Sequence, residues 1–131
     1  MGEKTLVEEV FTDTQRLVQK LDAAGECPSF VAWYYYADAD EWRLIVASPS
    51  LDTLLPKQEA IAYQRVIAAL SASDPVALAV SDLKVVHTSF PLLGAIRFLV
   101  RTDPKGFVRA TFTDCSINGM FIKAVVVLRS T

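Results

Sequence analysis

Apolar positions recur at helical spacing over residues 5–24. Val7, Val10, Phe11, Leu17, Val18 and Leu21, with Thr14 among them, fall on one stripe. Glu8, Glu9, Asp13, Arg16 and Lys20 make the polar face. Thr5-Leu6-Val7-Glu8 has the form of a capping box, and Gly25 suits the left-handed position that ends a helix. The period then changes. Phe30 to Ser48 holds both tryptophans and three of the four tyrosines, and it predicts a β-hairpin apolar on both faces. A four-residue loop, Asp38 to Glu41, pairs Trp33 with Val46 and Tyr35 with Leu44 and avoids setting Asp38 against Glu41. In that register Trp33, Tyr35, Trp42, Leu44 and Val46 share one face. Tyr34, Tyr36 and Arg43 share the other, with the Arg43 guanidinium placed to lie over the Tyr36 ring.

Pro49 stops the second strand, and Pro56 opens a second helix over 56–72 with Ile61, Ala62, Val66, Ala69 and Leu70 facing in. Residues 76–80 are short and apolar and fit strand or helix equally. A buried strand follows over 83–88. Ser89 then caps a third helix, with Pro91 in its first turn and Leu92, Ile96, Leu99 and Val100 inward. Asn118-Gly119 is the strongest turn signal, joining strands over 107–117 and 120–129 with Asp114 opposite Lys123, Cys115 opposite Ile122 and Thr111 opposite Val126. Residues 124–128 are apolar throughout, as in a strand covered on both faces. The expectation is a single α+β domain over 1–131 in the order α-β-β-α-β-α-β-β. Its mostly antiparallel five-stranded sheet comes from two hairpins plus one strand, packed by three helices.

Composition adds one question. With 52% hydrophobic residues and a mean hydropathy of +0.31, either the sheet is buried on both faces or a partner completes the surface. The net charge of −2 and pI of 5.3 argue against a general nucleic-acid binder. The charge is uneven, with residues 1–65 at −5 and residues 66–131 at +3, which suits complementary surfaces or a local basic patch. No apolar run reaches the roughly 18 residues of a membrane helix. The first residues lack the layout of a signal peptide, so a cytoplasmic location without a membrane is expected, with Cys27 and Cys115 as free thiols.

Candidate chemistry is sparse. His87 lies near a strand end with Ser89 two residues on, but no nucleophile-elbow glycines surround the serine. Asp38, Asp40 and Glu41 offer carboxylate oxygens to a divalent cation without the spacing of a calcium loop. Cys115 has no evident activating neighbour. Arg97, Arg101, Lys105 and Arg109 form the most suggestive set, an anion site built on one helix face and the turn after it. Tyr34 and Tyr36 are candidates for a recognition surface.

The resulting expectation is a non-enzymatic interaction module that forms a homodimer or binds a protein partner, with no cofactor and no metal. The alternatives are a small hydrolase or nuclease using His87 or the Asp38–Glu41 carboxylates, and an anion or nucleic-acid binder using the basic patch. WRLIVASP after the aromatic strand and INGMFIKAVVVL near the end resemble a group of short, uncharacterised bacterial cytosolic proteins. That resemblance implies no activity and no residue roles.

Overall fold

The computed structural model describes residues 6–131. The proposed capping-box threonine, Thr5, lies outside them. Helix α1 (Glu8–Ala23) buries Val10, Phe11, Thr14, Leu17, Val18 and Leu21, as the stripe predicts. Val7 stays outside the helix and half-exposed. Gly25 has φ +83°, and the Glu26 N–H donates to Leu21 O while the Gly25 N–H donates to Asp22 O. This double bond pattern is a Schellman ending, which needs a residue at positive φ.

Strands β1 (Phe30–Tyr36) and β2 (Glu41–Ala47) form the first hairpin. Its loop is four residues long but sits one residue earlier than expected, so Tyr36 faces Glu41, Tyr35 faces Trp42 and Trp33 faces Leu44. Asp40 explains the shift. It takes φ +50°, which Asp tolerates better than most residues, and its carboxylate accepts from the Tyr35 hydroxyl. Both strands move by one, so the division of residues between the two faces is as predicted.

Ser48-Pro49 starts a helix as well as ending a strand. The Ser48 hydroxyl oxygen accepts from the Ser50 N–H, and Pro49 opens α2 (Pro49–Asp52). Successive turns then link Leu51 to Gln58, so α3 (Glu59–Ala72) begins three residues after Pro56. Residues 76–79 are irregular and lead into a 3₁₀ turn at Val80–Asp82. Strand β3 (Leu83–Val85) runs parallel to β2 and stops short of Thr88, whose N–H and hydroxyl both donate to the Asp52 carboxylate.

Helix α4 (Pro91–Arg97) is shorter than the pattern suggested, and Ser89 does not cap it. Past Phe98 the chain peels away to run beside the last strand: the Thr102 N–H donates to Ser130 O and the Val108 N–H to Leu128 O. Leu99 is therefore 43% exposed rather than inward. Strands β4 (Ala110–Ile117) and β5 (Met120–Ser130) close the fold. Their turn has φ +51° at Asn118 and +76° at Gly119, and the three predicted pairings are in place.

The sheet order is β3-β2-β1-β5-β4, with only the β2–β3 pair parallel. Helices α1 and α3 cover one face, where Trp33, Leu44, Val46, Val126 and Leu128 join the core. Helix α4 covers the other, over Phe30, Ala32, Ile45, Val125 and Val127. A seven-residue helix is roughly 10 Å long and a seven-residue strand roughly 23 Å. Helix α4 therefore leaves about half of its face without a helix. No helix among the described residues is long and apolar enough to cross a membrane.

Candidate functional site

The half of the sheet beyond α4 carries Tyr34 and Tyr36 from β1, with Phe112, Cys115, Ile117 and Met120 from the β4–β5 hairpin, all half-buried. The two tyrosine rings meet edge to face, with centroids 4.9 Å apart at 71°. Burial pushes both hydroxyls above their ordinary value; at Tyr36 the Arg43 charge works against that shift. Neither hydroxyl has a hydrogen-bond partner among the described residues. A groove of about 320 Å³ opens here, lined by Tyr34, Tyr36, Phe90, Pro91, Leu92 and Met120.

Arg43 belongs to this face but does not lie over Tyr36. It is drawn to Glu41 at 3.2 Å and donates to Ser81 O at 3.3 Å. The cation over the Tyr36 ring is Lys84, with its Nζ 5.7 Å from the centroid. A parallel β3 beside β2 places Lys84 there, a neighbour that period and turn signals could not supply.

A second cleft, of about 560 Å³, wraps the β3 edge and shares Phe90 with the groove. His87 lies in it, half-exposed, with Nε2 3.7 Å from the Asp52 carboxylate. Sequence spacing gave no hint of that pairing, because Asp52 stands 35 residues earlier. The Ser89 N–H donates to Nδ1 at 3.0 Å, so in the neutral ring Nδ1 is the acceptor and Nε2 carries the proton. In this arrangement the imidazole has no free lone pair with which to act as a general base. The carboxylates of the first hairpin loop stand elsewhere. Val46 faces Val85, which sets His87 beside Ser48, whereas Glu41 begins β2. Seven residues of strand separate them, roughly 23 Å. Asp40 is engaged by Tyr35 and Glu41 by Arg43.

The four basic candidates are divided between faces. Arg97, at the end of α4, donates from Nε to Thr131 O at 2.9 Å. Arg101 is exposed on the irregular chain after α4, so it does not share a helix face with Arg97. Lys105 lies in a turn whose charge is felt by Asp22. Arg109 is on the α1 side: it forms a bidentate pair with Glu8 at 3.1 and 2.8 Å and stacks 4.0 Å over Phe11. Glu8 holds the Arg109 charge in place, and Arg109 holds the Glu8 carboxyl below its ordinary value.

Two buried charges escaped the sequence reading. Asp13, assigned above to the polar face of the first helix, is 1% exposed. Its carboxylate accepts the N–H groups of Val76, Ala77 and Leu78, which fixes the irregular 76–79 segment. Burial raises its pKa, but these three N–H groups and Arg16 outweigh that and lower it. Arg129, also 1% exposed, makes a bidentate pair with Asp22 at 2.9 and 3.0 Å and donates to Gly106 O and Pro28 O. Arg129 lowers the Asp22 pKa against the effect of burial. The available signal was a charge at the end of an otherwise apolar strand. Both groups hold the fold together and neither lines a cleft described above.

No protein-family model, curated protein or solved structure matches the chain.

Proposed function

We propose that this domain is a non-enzymatic interaction module that pairs with a second copy of itself, or with a protein partner, through the open half of the α4 face. The observation that carries this reading is the groove at Tyr34, Tyr36 and Met120, apolar in its walls and equipped with two tyrosine hydroxyls that have no partner among the described residues. Such amphipathic rings are the side chains that protein interfaces favour, because they bury area and still offer a hydrogen bond.

The sheet edges support the same face. On the β3 side the strand is three residues long and the Tyr63 hydroxyl accepts the outward Val85 N–H at 3.0 Å, which closes that edge. On the other side β4 is the outer strand, eight residues long, with Thr111, Thr113, Asp114 and Ser116 exposed. Asp114, at φ +47°, interrupts it and leaves Ala110 to Thr113 as the regular stretch. That stretch adjoins the open apolar half, so a partner strand laid there would also cover Phe112.

Sedimentation equilibrium tests this reading. The wild-type chain is expected to show concentration-dependent association that Tyr36→Ser combined with Met120→Glu removes while the melting temperature is kept. A strictly monomeric wild-type chain that also recovers no partner protein on an affinity column would overturn it.

A further inference from the structure

The cleft at the β3 edge has the elements of a ligand site that the interaction reading does not use. Its walls are the start of α3 and strand β3, and its apolar lining includes Pro56, Val86 and Phe90. Two residues that carry hydrogen-bond donors, Tyr63 and Lys84, are among those that line it. The Tyr63 hydroxyl accepts from the Val85 N–H at 3.0 Å, and its own proton has no partner among the described residues. Lys84 Nζ makes no ion pair among the described residues and lies over the Tyr36 ring, 5.7 Å from its centroid. The Tyr63–Val85 hydrogen bond ties α3 to the strand that carries Lys84, and both residues line the one cleft. Glu59, one helical turn before Tyr63, is the cleft's anionic group.

We infer that this cleft binds a small organic monocarboxylate with an apolar body. The carboxylate accepts from the Lys84 ammonium and the Tyr63 hydroxyl, and the body lies on Pro56, Val86 and Phe90. A charged pair with a hydrogen bond fixes orientation, and the apolar lining supplies the burial. Glu59 disfavours a second negative charge on the ligand. A volume of about 560 Å³ is in the range of small-molecule clefts.

The probe is 3-phenylpropionate, with 3-phenylpropan-1-ol as its uncharged counterpart, titrated into the ¹⁵N-labelled full chain. Saturable amide shifts are expected at Lys84, Val85 and Val86, with weaker binding of the alcohol. Lys84→Met is expected to weaken the carboxylate about tenfold, the loss of one charged hydrogen bond. Tyr63→Phe should also weaken it, and Glu59→Gln should tighten it. Lys84 is on the surface of an edge strand, so its variant separates ligand loss from unfolding, which the same spectra report. Absence of saturable shifts up to millimolar probe, shifts centred elsewhere, or unchanged affinity in Lys84→Met would each overturn the inference.

Discussion

Single residues in the core carry polar obligations that decide stability. The Trp33 indole N–H donates to Thr14 Oγ1 at 3.0 Å, and that hydroxyl donates in turn to Val10 O. Thr14→Val keeps the shape but strands a buried indole N–H. It should lower stability by roughly 1–3 kcal/mol, read as a shift of the urea midpoint. Arg129 and Asp22 are a stronger case, since losing one partner leaves the other charged and buried. Asp22→Asn is expected to cost about 3 kcal/mol or more in the same assay. Asp13 and Asp22 both have carboxyl pKa values lowered below 3.8 in the folded chain. Their contribution is therefore fully present above the unfolded value and is lost as pH falls through the folded values. Stability should hold at neutral pH and fall steeply on acidification past about pH 4, where unfolded carboxylates take up protons. Asp13→Asn should flatten that acid limb in a pH series of thermal melts; an unchanged limb would mean that other carboxylates control it.

At the scale of elements, what was legible depended on how local its cause is. The Asn118-Gly119 hairpin was legible to the register, because two positive φ values at the turn fix every pairing behind it. No atom lies within 4 Å of a Cβ added at Gly119, so Gly119→Ala costs backbone conformation alone, about 1 kcal/mol in the urea midpoint. The first hairpin was legible in its faces but not its register, since Asp40 and Tyr35 set the loop through a side-chain bond. Ends of helices and strands were poorly legible wherever distant residues set them. Ser130 and Leu128 draw the chain away after α4, and Asp52 draws Thr88 away from β3. The candidate sites suffered from the same cause. Tyr34 and Tyr36 could be grouped from the sequence because they share a strand face. The Arg97–Arg109 set was divided because the chain leading into β4 presents Arg109 to α1 and not to α4. Lys84 and Tyr63 went unnoticed because only the parallel β3 brings them together.

For the whole molecule the governing feature is an imbalance of cover. Two long helices fill one face of the sheet, and a seven-residue helix fills half of the other. The high apolar fraction of the chain is thus divided between a sheet core buried on both faces and a half-open patch that ends at the β4 edge. The proposed function requires that a second molecule bury that patch. Amide hydrogen exchange at low and high protein concentration tests it most directly, because it reports both that association occurs and where. Slower exchange at high concentration is expected for residues 34–36 and 110–113, with α1 and α3 unchanged. Equal exchange at both concentrations, or protection confined to the α1 and α3 side, would contradict it.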